Sequence, residues 1–252
     1  GGLALRGMLP VCHSFACFLS TRANEQIYNN ATARTRVVYV ASLAGLLPAG
    51  PGHSHQSVRD ISAVGAVQGL VALAPSTEAE VGRALEWCLH EHQGPSWLRL
   101  ESVPCEVPFT LPESPLELGV GTVLRDGVDA LFIGYGPTLL SEAWRACDLL
   151  AEDGFRVGLV SLPWLNQLSS WWLLRTVSGV KHVFSLDNHH ICGGQGDRIA
   201  DAFAAASGAM LPRLHRFAVE GLPACGSPSD VLRRHGLDTW SLRQRVLRTL
   251  ST

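Results

Sequence analysis

One lysine, Lys181, stands among the 20 basic residues of the 252-residue chain; the others are arginines. That bias fits a GC-rich coding sequence and carries no functional message. No Cys-x-x-Cys pair occurs among the seven cysteines, Cys12, Cys17, Cys88, Cys105, Cys147, Cys192 and Cys225, and their number is odd. This argues against a disulfide framework or a zinc site and for free thiols in a reducing cytoplasm. No apolar run reaches the roughly 18 residues of a membrane-spanning helix. The N-terminus has no basic start followed by a cleavage pattern, so no secretory signal is read there. It also lacks Met and opens on Gly1-Gly2, which hints that something upstream is missing or removed. An excess of one charge sign is absent too. The net charge of −2 gives no electrostatic basis for binding nucleic acid or an anionic membrane.

What is present is a globular balance, 46% hydrophobic and 17% charged, in a chain long enough for one large or two modest domains. Short apolar runs alternate with amphipathic stretches, which predicts an α/β fold with mostly parallel strands. Strands are predicted at Leu9–His13, Arg36–Ser42, Gly69–Ala74 and Trp97–Leu100, and helices over Phe18–Ala33 and Thr77–His92. Ser76 is the expected N-cap of the latter helix, and Glu78 and Glu80 suit its positive end.

Pro104, Pro108, Pro112 and Pro115 then crowd one stretch with few helix or strand signals, which reads as an ordered linker. The domains are therefore set at 1–104 and 119–252, with a linker over 105–118. In the second, strands are predicted at Ala130–Tyr135, Arg156–Ser161, Val183–Leu186 and Leu214–Val219. Helices are predicted at Thr138–Glu152, near Gln167–Val177, at Gly194–Ser207, and from Ser227 and Ser241, each of the last two with a serine cap.

Several segments carry chemistry-bearing residues in a fixed order. Phe15-Ala16-Cys17-Phe18 opens a helix with two aromatics three residues apart, followed by Arg22, Glu25 and Gln26. Gly52-His53-Ser54-His55-Gln56 is a polar loop, and Ala74-Pro75-Ser76-Thr77-Glu78-Ala79-Glu80 a strand-to-helix turn. Asp187-Asn188-His189 precedes Gly193-Gly194-Gln195-Gly196, and Gly221-Leu222-Pro223 leads to Gly236-Leu237-Asp238. In this order the segments resemble the transketolase family of thiamine diphosphate enzymes over nearly the whole chain. Deoxyxylulose-phosphate synthases and pyruvate dehydrogenase E1β chains share that organisation.

The resemblance implies two three-layer α/β/α domains. The first would be the pyrimidine-binding domain, without its N-terminal part, and the second the transketolase C-terminal domain. It implies an active site shared between two chains. This chain would supply the pyrimidine slot, and a partner the pyrophosphate domain with a divalent metal such as Mg²⁺. The family's activating glutamate would lie upstream of Gly2. The expected whole is a split transketolase transferring a two-carbon ketol unit with thiamine diphosphate, assembled as a heterotetramer on a ketose or aldose substrate. No metal ligands are assigned to this chain.

Phe15 and Phe18 fall on the family positions that line the pyrimidine slot. Spacing alone would make them an ordinary core pair. Stacking on a flat ring is the functional alternative. His55 falls on the loop histidine and suits proton transfer near neutrality. Its bland alternative is a loop imidazole bonding backbone, and His53 has no family counterpart. Arg22 and Gln26, at i and i+4, are expected on one helix face as cofactor-pocket or interface support, against a solvated face. Asp187, His189 and the Gly193-Gly194 turn are expected to pack against the partner rather than bind an anion, and Trp171-Trp172 to be core or interface.

Three positions depart from the family: Leu43, Pro51 and Ser102 stand where transketolases place a histidine, an aspartate and a phosphate-binding arginine. Those departures put sugar-phosphate activity in doubt and suggest an unusual acceptor. They also motivate an alternative: a non-catalytic paralogue that scaffolds or regulates a true transketolase.

Overall fold

The computed structural model describes residues 1–206 and 210–251. The first half runs α1 (Gly2–Leu5), β1 (Val11–Phe15), α2 (Ala16–Arg22), α3 (Asn24–Thr32), β2 (Val38–Ser42), α4 (Asp60–Gly65), β3 (Val71–Leu73), α5 (Glu78–Glu86) and β4 (Ser96–Arg99). Its four strands form one parallel sheet in the order β1-β2-β4-β3. Covered on both faces by helices, the inner strands are continuous apolar runs, with Val38, Tyr39, Ala41, Trp97 and Leu98 all buried.

The second half runs β5 (Thr122–Arg125), β6 (Ala130–Gly134), α6 (Pro137–Glu152), β7 (Val157–Ser161), α7 (Ser170–Thr176), β8 (His182–His190), α8 (Gln195–Ala205), β9 (Arg213–Val219), α9 (Pro228–Arg234) and α10 (Thr239–Leu250). The sheet order is β5-β7-β6-β8-β9, parallel except where β5 pairs antiparallel with β7. The α/β fold with two mostly parallel sheets is the one expected from the sequence.

Local differences have local causes. The helix predicted over Phe18–Ala33 breaks at Ala23 into α2 and α3. The hydroxyls of Ser20 and Thr21 bond back to the Ala16 and Cys17 carbonyls, each at 2.6 Å. Asn24 Nδ2 donates to the Ser20 carbonyl at 3.2 Å and to Ala63 of α4 at 2.9 Å. These polar side chains compete for the carbonyls that would continue the helix. The cap of α5 is Thr77, not Ser76: Thr77 Oγ1 accepts from Glu80 N at 3.2 Å, while Ser76 donates its N–H and hydroxyl to Glu80 Oε2. Helix α5 continues as a wider turn over Trp87–Glu91, which accounts for the predicted reach toward His92. Helix α10 begins at Thr239 rather than near Ser241, because Thr239 N bonds Glu142 Oε2 of α6 at 2.7 Å. Strand β5 is missed by sequence patterning because it is four residues long and only partly buried. Of the helix predicted at Gly194–Ser207, Ser207 lies outside the described residues.

Residues 101–121 contain no helix or strand, as the prolines require. Phe109 of that stretch is buried against Trp144. The two halves share a core. Leu73 and Leu98 cluster with Ile133, Val160 and Trp164. Segment 163–166 bonds the edge of β3: Ala74 N donates to Pro163 O at 2.8 Å and Leu165 N to Ala72 O at 2.9 Å.

Candidate functional site

Phe15 closes β1 and occupies the N-cap position of α2, with φ −65° and ψ 139°. It thus sits at the carboxyl end of a parallel strand, where open α/β sheets place their ligand crevices. Phe18 follows on the first turn of α2. His55 comes from the turn after β2, where Gly52 at φ +83° lets the chain reverse and its carbonyl accepts from His55 N at 3.0 Å. Three rings converge. The Phe15 and Phe18 centroids are 5.8 Å apart, and the His55 ring lies 6.0 Å from Phe15 and 5.1 Å from Phe18, edge-on to the latter. The Arg22 guanidinium carbon sits 4.0 Å from the Phe18 centroid, a cation–π contact. Phe15 remains 37% exposed, so the cluster is an open apolar ledge rather than a filled core.

Four of the residues predicted from sequence, Phe15, Phe18, Arg22 and His55, are brought together. Gln26 is not. The break at Ala23 puts it on α3, exposed and with no side-chain hydrogen bond among the described residues. The i,i+4 argument fails there because one helix became two.

Two of the departure positions meet. Leu43, at φ 51°, donates its N–H to Ser102 Oγ at 3.0 Å. Beside them His13 Nε2 pairs with Ser42 Oγ at 2.9 Å.

Sequence reasoning missed a buried polar network that joins the two domains. Arg99, at the end of β4, donates Nε to Asp60 Oδ2 at 2.7 Å, Nη1 to Asn188 Oδ1 at 2.7 Å and Nη2 to the Ser57 carbonyl at 3.3 Å. Asn188 Nδ2 passes the connection to Glu101 Oε1 at 2.6 Å, and Glu101 Oε2 accepts from Thr138 N at the start of α6. Burial pushes the Glu101 carboxyl up, against the pull of the Thr138 bonds and the Arg99 charge. Only the Asp187-Asn188-His189 motif gave a sequence signal here.

Asp187 and His189 are engaged within the chain itself. Asp187 accepts from Gln195 N and Gly196 N, each at 2.9 Å, so the N-terminus of α8 is filled by the chain's own carboxylate. Ser62 N of α4 donates to His189 Nε2 at 3.3 Å. Gly193 is required: a Cβ there would lie 2.4 Å from the Ser62 Cβ. Trp172 packs on the core, whereas Trp171 is 67% exposed under Arg175.

The fold defines a class: a parallel α/β domain joined to a second, mostly parallel α/β domain that bonds to its loops. Residues 1–102 match the family model "Transketolase, pyrimidine binding domain", and residues 119–242 match "Transketolase, C-terminal domain". The chain belongs to the transketolase family.

It is 28% identical over 97% of its length to 1-deoxy-D-xylulose-5-phosphate synthase of Chlorobium luteolum, covering 38% of that protein. It is also 28% identical, over 98% of its length, to a Methanocaldococcus jannaschii protein described as a transketolase C-terminal section, 77% of which is covered. The chain thus spans about two fifths of the synthases it matches. Among solved structures it resembles a split-gene transketolase described as an inactive β4 tetramer, with TM-score 0.87 at 23% identity over 99% of this chain and 79% of the other. It also resembles the transketolase of Pichia stipitis in complex with sedoheptulose-7-phosphate, with TM-score 0.77 at 18% identity over 96% of this chain and 34% of the other.

Proposed function

We propose that the chain is the pyrimidine-side subunit of a split, thiamine diphosphate-dependent transketolase-like enzyme that transfers a two-carbon ketol unit. The observation that carries this reading is the convergence of Phe15, Phe18, Arg22 and His55 on one open ledge at the carboxyl end of β1. An aminopyrimidine ring fits that donor set, needing a flat apolar face and offering its own polar edge. Phe18 would take the ring, with Phe15 as the adjoining wall, and Arg22 would hold Phe18 in place by resting on its face. Once bound, the cofactor supplies the electron sink for breaking the bond beside a ketose carbonyl.

His55 is the proton-transfer group. Its Nδ1 is paired with Ser54 Oγ at 2.9 Å, which leaves Nε2 for a substrate hydroxyl. Gln26 lies off the ledge and would act at the partner surface. The partner chain would carry the diphosphate site and its divalent metal. The split-gene relative, inactive as a tetramer of one chain type, supports this division of labour, as does the relative described as a C-terminal section. A cytoplasmic location fits the seven free thiols, and no helix among the described residues is long and apolar enough to cross a membrane.

The test is reconstitution with a chain bearing the pyrophosphate domain. Thiamine diphosphate-dependent cleavage of a ketose is the expected result, and its absence with every ketose tried sinks the reading.

A second reading, a non-catalytic scaffold, draws on the Leu43–Ser102 hydrogen bond, which closes that corner without a charged side chain. Substituting Phe18 and His55 in the complex separates the two. Unchanged turnover favours the scaffold.

A further inference from the structure

Gln56 is buried at 3% exposure and uses both amide hydrogens. Its Nε2 donates to the Leu46 carbonyl at 3.1 Å and to the Ala224 carbonyl at 2.8 Å, tying the turn of the first domain to a loop of the second. Two carbonyl partners on one atom decide which end of the amide is nitrogen. The other end, Oε1, therefore faces His53, 3.3 Å from Nδ1. An amide oxygen only accepts, so His53 Nδ1 must carry the ring proton. In the neutral imidazole, Nε2 is then a bare acceptor.

The same Nδ1–H lies 3.8 Å from Sγ of the exposed Cys225, which stands in the second domain's loop after β9. With the proton held on nitrogen, the sulfur is the accepting partner. His53 Nε2 has no protein partner among the described residues, and the residue is exposed on the five-residue turn that also carries His55. A histidine whose tautomer is locked from behind and whose other nitrogen has no protein partner is set to accept a hydrogen bond from a group outside the chain.

We infer that His53 is a second substrate-contacting group whose Nε2 accepts a hydrogen bond from a hydroxyl of a polyhydroxylated carbonyl substrate, with Gln56 as its positioning residue. The inference rests on the reading of the ledge as a ketol-transfer site, and it names the hydroxyl-bearing end of the substrate as what this turn selects.

Two measurements test it. In the ¹⁵N-labelled full chain, long-range ring correlations, assigned by loss of the signal in His53→Gln, should show His53 as the Nδ1–H tautomer. Cys225→Ala should leave that tautomer in place, and Gln56→Leu should release it toward the Nε2–H form. An Nε2–H ring in the wild-type chain overturns the inference, even if Gln56→Leu fails to fold. In the complex with the partner chain, His53→Gln should raise KM for a polyhydroxylated substrate about tenfold, roughly 1.4 kcal/mol, with thiamine diphosphate affinity unchanged. An unchanged KM overturns the substrate role alone. A wild-type complex without any cofactor-dependent turnover overturns the ketol-transfer reading and the substrate role with it, while the tautomer is decided independently on the free chain.

Discussion

Arg99 and Asp60 form an ion pair at 2.7 Å with both side chains wholly inaccessible to solvent. The pair joins the end of β4 to the start of α4 and reaches Asn188 of the second domain through a second guanidinium nitrogen. A third contact, from Arg99 to the Ser57 carbonyl, ties the pair to the segment just after His55. Removing one partner leaves a buried charge unmatched. Arg99→Ala should cost about 3–5 kcal/mol in urea unfolding, whereas an apolar pair such as Arg99→Met with Asp60→Leu should recover most of that loss. A single variant of wild-type stability would show that the pair braces nothing.

Phe18 is the residue on which the cofactor reading depends most. Its ring is only half-buried, with Arg22 over one side and His55 at its edge. Phe18→Ala should weaken thiamine diphosphate binding by the reconstituted complex by about tenfold, in line with the ~0.5–1.5 kcal/mol of an aromatic pair. The binding isotherm decides it: an unaltered dissociation constant would move the pyrimidine elsewhere.

His189 sets an acid limit. Burial pushes its imidazole down from the ordinary value of 6.5. Nδ1 donates to the His190 carbonyl at 2.7 Å, so Nε2 must stay bare to accept from Ser62. The unfolded chain therefore binds the proton more readily than the folded one. Stability falls as pH drops below 6.5 toward the lowered folded value and is fully present above 6.5. His189→Asn should flatten the slope of unfolding free energy against pH in that window by up to about one proton. An identical slope in the variant would assign the effect to the half-buried imidazoles His92, His215 and His235, which desolvation also lowers.

Arg34 closes α3 in the left-handed region, at φ 54°. Its N–H bonds the Ala31 carbonyl and the Thr35 N–H bonds the Asn30 carbonyl, each at 2.9 Å, the hydrogen-bond pattern of a Schellman cap. That position favours glycine. Arg34→Gly should raise stability by up to about 1 kcal/mol by relieving backbone strain. A fall in melting temperature instead would show that the guanidinium makes a contact worth more than the strain.

Gly193, at φ +81°, lets α4 and the second domain touch. Gly193→Ala should be destabilised by more than about 1 kcal/mol, since it meets both a strained φ and the Ser62 side chain. Thermal unfolding beside Gly154→Ala, whose Cβ would meet open space at φ +90°, separates the packing contribution from the backbone one.

Much of the architecture was legible in the sequence, and the reason is periodicity. Strands such as Ala130–Gly134 and Val157–Ser161 are buried on both faces and so read as unbroken apolar runs. The prolines of 104–115 announced the irregular stretch. Where the pattern misled, a side chain had outcompeted a backbone bond, as at the Ser20, Thr21 and Asn24 break that separates Arg22 from Gln26.

By itself, the sequence determined the pair of α/β domains, the aromatic spacing of Phe15 and Phe18 and the glycines that permit the turns, because all of these follow from local patterns. Only the tertiary structure decided that His55 meets those rings from 37 residues beyond Phe18, that Arg99 is held in a buried bridge, and that the Gln56 amide faces His53. Such contacts join residues far apart in the chain. They arise from how sheets, turns and the two domains pack, which no spacing along the sequence encodes.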